Sequence, residues 1–483
     1  MYKSIQQFNE EGIKNIEKIF MDFTQDMTKF AEMVEEITRN LVQLGLNMIA
    51  EELESYDEFL RKESYMRPEW YIVRQDTATL VTTLGTLHYH KTLFIKKTTK
   101  ERAYLLDRIM GIAAHTRISE DAIAKILFET AENSYRKAGS TFCLSGEQIS
   151  GESVMNKIHT LQFPKATALK EKKVVPYLYI DADEDHIALQ HKSSGSKESD
   201  NENKHVFGKL VYVYEGIEPE TLHGKRNRLK NPHYFAGVYE GKENETLWDE
   251  VYEYLKENYE LESVKKIYLN ADGGSWIKSG MKQLENTIHV LDEFHLKKYI
   301  SKLSRYAKDD ADDAKEELCR LICYGKKEDF KAYAEKLIGT DKEKGEKEIN
   351  YILNNWNGAK IRLQKPDGIV GSNTEGHVSH VLAERMSSRP MGWSLIGAAK
   401  MAKLRAWYYN GGDMLELVRY QKEIQPIAAG SEEGMSIGAK LNMTERRLAH
   451  APSYGIGAKR GSLALQARKR MAIRSAVKGL YSL

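Results

Sequence analysis

VVPYLYIDADEDHIALQ, residues 174–190, decides how the rest of the chain is read. It opens as a β-branched and aromatic strand. It then meets four acids, Asp181, Asp183, Glu184 and Asp185, and re-enters an apolar pattern. Carboxylates are almost never fully buried unless they are paired or bind metal. Taken alone, the stretch has two readings. The acids mark the solvated turn of a hairpin between strands at 174–180 and 186–191, or one of them is held at a strand end to bind a cation.

The neighbouring segments add strands and helices to this one. A polar low-complexity loop at 193–204 leads to a third strand, HVFGKLVYVY at 205–214. The basic loop GKRNRLK at 224–230 suits either phosphate contact or plain solvation. An amphipathic helix at 247–259 follows, then a strand, VKKIYL at 264–269, that runs straight into NADGG. A helix at 276–284, a strand at 287–291 and another helix from 294 complete the series. Strand, strand, strand, helix, strand, helix, strand predicts an α/β domain with a mixed sheet.

Two of these strands end in acid, at Asp181 and at Asp272. Gly273 and Gly274 after the second let the backbone turn sharply beside a ligand. If the two strands are neighbours, both carboxylates leave the same sheet edge, where they repel each other unless a cation sits between them. Mg²⁺ or Mn²⁺ suits oxygen ligands, and two such ions can activate water and stabilise a leaving oxygen in phosphodiester chemistry. A third acid completes such a site. Glu375, opening the helix NTEGHVSHVLAERM, is the candidate, with Glu384 as the alternative.

The flanks carry other signals. Apolar residues at helical spacing predict helix from 4 to about 64, with an acidic outer face. TLVTTLGTLHYHKTLFIKK at 79–97 alternates about Gly85 and predicts a hairpin. Ser119 is positioned to cap a helix over Ile123 and Leu127. Residues 134–159 read as two short helices about a glycine turn, the second starting near Ser150 and presenting Ser153, Asn156 and Lys157 outward. That arrangement suits a helix-turn-helix as well as an ordinary helical pair. Residues 296–362 are helical and highly charged.

Composition bounds the class. The 483 residues suffice for two to four domains, and 41% hydrophobic with 29% charged residues describes a globular chain. Three cysteines exclude a disulfide scaffold; Cys319 and Cys323, four apart on a helix, read as apolar core. No signal segment or membrane-length apolar run is present, which predicts a cytoplasmic protein. Net charge is +2, unevenly spread. Residues 1–66 carry 14 acidic and 7 basic side chains, and residues 431–483 carry 3 and 10. A basic tail suits a polyanion or a solvated helical face.

The ordered set YIDADED, LNADGG, LDEFHLKK and SNTEGHVSHVLAERMSSRPMGW resembles the bacterial insertion-sequence transposases of the ISLre type, relatives of the Mutator-like elements. The likeness extends to the hairpin and the helix-turn-helix, over residues 70–420. The resemblance implies an RNase H-like catalytic domain with a mixed sheet, interrupted by an all-α insertion and preceded by a helical and hairpin DNA-binding region. Its expected parts are an acidic helical region at 1–68 for oligomerisation and a DNA-binding region at 69–165. The catalytic core spans 170–295 and 363–425, the insertion 296–362, and the basic tail 426–483.

Carried across position by position, it implies Asp181, Asp272 and Glu375 as the acids of a DDE site for two Mg²⁺ or Mn²⁺ ions, with Asp183 the alternative first acid. Asp292 and His295 match an acid-x-x-His motif with a supporting or DNA-contacting role. Trp356 would stack on an unpaired base or serve as core, and Arg385 and Arg389 would contact phosphates or stay solvated. The implied function is a transposase that binds the inverted repeats of its element as a homodimer or higher assembly, cuts the ends and transfers them to new double-stranded DNA, in a bacterial cytoplasm at the nucleoid. A nuclease or resolvase without strand transfer, and a silent DNA-binding derivative, are the alternatives.

Overall fold

The computed structural model describes residues 2–190, 205–221, 224, 226–284, 286–339, 342–389 and 391–424. The low-complexity loop at 193–204 and the basic tail at 426–483 lie outside them. The described chain divides into two units, one of residues 2–58, 75–91 and 113–424, the other of residues 59–74 and 92–112. Among the described residues, no helix is long and apolar enough to cross a membrane.

In the smaller unit, Leu93, Phe94 and Ile95 pair antiparallel with Tyr104, Ala103 and Arg102. Arg67 donates to the carbonyls of Leu60, Arg61 and Trp70, with its guanidinium 5.6 Å from the Phe94 ring centroid.

The larger unit begins with helices. The predicted single helix from 4 to 64 is broken. Helix α1 (Ile13–Gln25) ends at Asp26, whose backbone is extended, and α2 (Phe30–Lys62) starts four residues later. Asp26 makes the break because its carboxylate accepts from the Thr28 N–H and hydroxyl at 3.1 and 2.6 Å, competing with helix continuation. The hairpin about Gly85 is present, its turn closed by the Thr82 N–H on the Gly85 carbonyl at 2.9 Å. Helices α3 (Glu120–Glu132), α4 (Tyr135–Thr141) and α5 (Gly151–Thr160) follow. Ser150 caps α5 as predicted, accepting from the Ser153 N–H at 3.1 Å. Ser119 precedes α3 but makes no side-chain cap; its hydroxyl donates instead to the Val81 carbonyl at 3.0 Å.

The central sheet has five strands: β1 (Tyr177–Ala188), β2 (His205–Tyr214), β3 (His233–Val238), β4 (Lys266–Ala271) and β5 (Thr287–Leu291). Their spatial order is β5-β4-β1-β2-β3. β1, β2 and β3 pair antiparallel, and β4 and β5 join on the other side in parallel. The sheet is therefore mixed, as the element order predicted. The predicted hairpin turn at the acids is absent. β1 runs unbroken through Asp181–Asp185, with Asp183 opposite Leu210, Glu184 opposite Lys209 and Asp185 opposite Gly208. Ten consecutive paired residues on β2 outweigh the turn preference of the acids, because each paired strand residue satisfies its backbone groups.

Alternation along β1 divides two cores. Leu178, Ile180 and Ala182 are fully buried on one face against α6 (Glu243–Asn258), which contributes Leu247, Trp248, Val251 and Leu255. Each such large side chain contributes about 1.5–3 kcal/mol on burial. Tyr179, Asp181, Asp183 and Asp185 point to the other face, covered by α13 (Thr374–Val378) and α14 (Leu395–Tyr409). Helix α7 (Ser275–Met281) links β4 to β5, and between β5 and α13 lies the helical insertion: α8 (Glu293–Ser304), α9 (Ala311–Tyr324), α10 (Lys327–Ile338), α11 (Lys342–Asn354) and α12 (Trp356–Gln364), around a core of its own. Cys323 is buried in that core and Cys319 packs beside it.

Candidate active site

The parallel pairing of β1 with β4 sets Asp181 beside Asn270 and Ala182 beside Ala271. Asp183 and Asp272 each follow the last of these paired positions directly, and the Asp272 charge acts on Asp183. The two carboxylates therefore leave one sheet edge on one face, while Asp181 lies two residues deeper.

The deeper position is closed. Asp181 is fully buried and accepts from the hydroxyls of Tyr212 at 2.8 Å, Tyr214 at 3.1 Å and Thr374 at 3.2 Å, and from the Asn270 amide at 2.5 Å. Asn270 in turn accepts from Arg362, a buried arginine that also donates to the carbonyls of Leu291 and Val370. Burial pushes the Asp181 carboxyl up to about 6, against the pull of Asn270, Tyr212, Tyr214 and Arg362. Four donors leave it no oxygen turned to an incoming ion. Asp181, expected as the first metal ligand with Asp183 as the alternative, is thus the more enclosed of the two in this structure.

Asp183 occupies the open position. Burial is the largest cause that pushes its carboxyl up, to about 7. Repulsion by Asp272 and Glu375 adds to it, while the Glu184 N–H, donating at 2.8 Å, and His295 oppose it. Burial and Asp272 raise Glu184 as well. Asp185, on the same face as Asp183, has a buried Oδ2 without a hydrogen-bond partner.

Each further acid is set by its own local structure. Asp272 starts the turn after β4 and accepts from the Gly274 N–H at 2.9 Å. Gly273 has φ +89°, and a Cβ there would run into the side chain of Asn355, so glycine is required. Tyr351 of α11 donates to the Asp272 carbonyl at 2.8 Å, which ties the insertion to this turn. Asp292 caps α8, accepting from the His295 N–H at 3.0 Å, and stands 3.1 Å from the His295 Nδ1. Its other oxygen accepts from Ser372 at 3.1 Å, and its carboxyl is held low by these bonds despite burial. The bond to Asp292 raises His295, and the charges of Asp183 and Asp272 add to the rise. Glu375 lies in the first turn of α13, one residue after the Thr374 that reaches Asp181.

The remaining expected residues divide. Ser153, Asn156 and Lys157 are exposed on α5 while Val154 and Ile158 face inward, and Arg389 is exposed. Trp356 is buried in the insertion core, its ring 5.5 Å from that of Phe330, so it is core and not a stacking platform. Arg385 is also buried. It donates to the Thr130 carbonyl at 3.3 Å and lies 4.9 Å from the Trp393 ring, out of reach of a phosphate. Sequence reasoning missed Asn270, Arg362, Tyr212 and Tyr214. Only the tyrosines left a signal, the alternation YVY that turns both to one face of β2.

Acids that repel one another, one raised to about 7 and another with an orphaned buried oxygen, have the donor chemistry a divalent cation requires. Among the described residues, no three such side chains stand close enough together to enclose an ion as they are.

Known proteins add the following. A protein of Caldanaerobacter subterraneus subsp. tengcongensis whose name joins eleven loci of that genome is 35% identical over 419 residues, 86% of this chain and 84% of its own length. A second, joining four loci, is 35% identical over 430 residues, 88% and 86% of the two chains. So many copies in one genome are a pattern typical of mobile elements. The Drosophila P element transposase strand transfer complex aligns with 66% of this chain and 84% of its own at 11% identity, with a TM-score of 0.22, too low to carry an argument about fold. Both Caldanaerobacter relatives carry the name of the uncharacterised protein family UPF0236, whose model matches residues 23–423, and the chain belongs to that family.

Proposed function

We propose that the chain is a DDE-type DNA transposase whose acids are Asp183, Asp272 and Glu375. The observation that carries this reading is the gathering of Asp183 on β1, Asp272 directly after the neighbouring strand β4 and Glu375 in the first turn of α13, near enough that the last two raise the Asp183 carboxyl. Two further features support it. The sheet order β5-β4-β1-β2-β3, with three antiparallel strands and two parallel ones, suits an RNase H-like fold. The multi-locus relatives suit an element that copies or moves itself.

Asp183, Asp272 and Glu375 would hold two Mg²⁺ or Mn²⁺ ions, which when bound supply water activation and charge stabilisation at the leaving oxygen. The chain's own part is positioning. The turn at Gly273 and Tyr351 fixes where Asp272 stands. Asp292 orients the His295 ring through its Nδ1, and that imidazole, raised by the surrounding acids, can hold a proton beside them. The exposed face of α5, with Ser153, Asn156 and Lys157, is the surface for double-stranded element ends. Two ends must be brought together, so the working unit is a homodimer or higher assembly.

The test uses the full chain, Mg²⁺ and duplexes ending in the inverted repeats that flank its gene. Asp183→Asn removes nicking and strand joining while repeat binding persists. Nicking that survives Asp183→Asn ends the assignment. Nicking without joined products moves the reading to a nuclease.

A further inference from the structure

Arg405 is fully buried on α14, and its hydrogen-bond partners among the described residues do not include Asp183, Asp272 or Glu375. Its guanidinium donates to three carbonyls, those of His380, Val381 and Ala131. Two of the three belong to a π-helical turn, Ser379–Ala383, that continues directly from α13 and so follows Glu375 by four residues.

The π-turn explains why these carbonyls are open. In an α-helix the Glu384 N–H would bond the carbonyl four residues back, at His380. Here it bonds Ser379, five back. The Glu384 N–H is thereby withdrawn from the His380 carbonyl. Arg405 supplies the missing donor, and the Tyr409 hydroxyl adds a second at 3.2 Å while itself accepting from Arg405 at 3.3 Å.

The π-turn also sets a phase. Downstream of it, Met386 is fully buried and Arg385 is tied to Thr130, so that side is fixed. Upstream lies the short α13 with Glu375. Converting the five π residues to α geometry would rotate α13 by roughly a quarter of a turn about its axis. Glu375 would then leave the face it shares with Asp183.

We propose that Arg405 is a positioning residue: by holding the π-turn Ser379–Ala383 open, it aims Glu375 at Asp183 and Asp272. The same guanidinium holds the last turn of α3 through Ala131, with the Glu132 carboxylate 3.5 Å away, so α3 and the helical run that begins with Glu375 share one buried cation. This inference rests on the metal-binding reading above.

The test is Mn²⁺ binding to the full chain, followed by water-proton relaxation, in a double-mutant cycle of Arg405→Lys and Glu375→Gln. Arg405→Lys weakens Mn²⁺ binding about tenfold when Glu375 is present and adds nothing once Glu375 is glutamine. Equal losses in both backgrounds make Arg405 a merely structural residue and overturn the proposal. If Arg405→Lys lowers the folded fraction, Tyr409→Phe removes one donor from the same carbonyl. It then weakens binding about two- to threefold through Glu375 alone, and no loss there overturns the proposal as well. An unsubstituted chain that binds no Mn²⁺ overturns the metal reading, and this inference with it. Intact binding with an additive cycle overturns this inference only.

Discussion

Two carboxylates two residues apart on β1 face the same way and meet opposite environments. Asp181 lies under four donors, with Arg362 behind Asn270, and nothing charged of its own sign beside it. Asp183 has one backbone donor and two carboxylates nearby. Both are raised by burial, but what remains after burial differs. Asp181 is a satisfied structural group that fastens three strands and the start of α13 to one another. Asp183 is an unbalanced charge. Position on a strand thus says little about role until the donors around each oxygen are counted.

The contrast can be broken from either side. The largest effect is expected at the closed end. Asp181→Leu leaves Tyr212, Tyr214, Asn270 and Arg362 without their acceptor, and removing one partner of a buried charged network costs about 3–5 kcal/mol. Urea or thermal unfolding measures it, and a loss below about 1 kcal/mol removes Asp181 from its structural role.

The open end behaves in the opposite sense. The Asp183 carboxyl titrates higher in the folded chain than in the unfolded one, so folding favours its protonated form. Stability therefore falls as pH rises from about 4 to about 7, and the penalty is complete above that window. Asp183→Asn removes the charge, so the variant is more stable than the parent at pH 8 by about 1–2 kcal/mol and similar to it at pH 4. Unfolding at both pH values checks the sign. A variant destabilised at pH 8 contradicts the account.

The smallest effect is expected far from both carboxylates. Lys157→Ala on the exposed face of α5 lowers DNA affinity a few-fold and reduces the salt slope by about 1, without sequence bias. Fluorescence anisotropy at several salt concentrations reads it, and an unchanged slope takes Lys157 out of the interface.

Much of this contrast could be read from the residues, but not the part that decides it. Asp272 before two glycines, Glu375 opening a helix and the strand-and-helix order all carry local signals, and the mixed sheet follows from them. The choice between Asp181 and Asp183 does not. Both have the same alternation parity, and only the tyrosines on β2 and Thr374, brought in by long-range pairing, close one and leave the other open. The hairpin turn expected at the acids failed for a related reason. Local turn preference was overridden by pairing with a partner strand that begins only at His205. Trp356 and Arg385 show the same limit for large side chains. Their composition suggests ligand contact, and their burial is set by packing from elements far along the chain.

The central claim is that Asp183, and not Asp181, is the acid open to a divalent ion beside Asp272 and Glu375. The direct measurement is the shift in thermal midpoint on adding Mg²⁺ or Mn²⁺ at pH 8 to the full chain, to Asp183→Asn and to Asp181→Asn. The account predicts a rise for the parent, a rise that persists in Asp181→Asn from a lower starting midpoint, and none in Asp183→Asn. A rise that persists in Asp183→Asn and disappears in Asp181→Asn would contradict it.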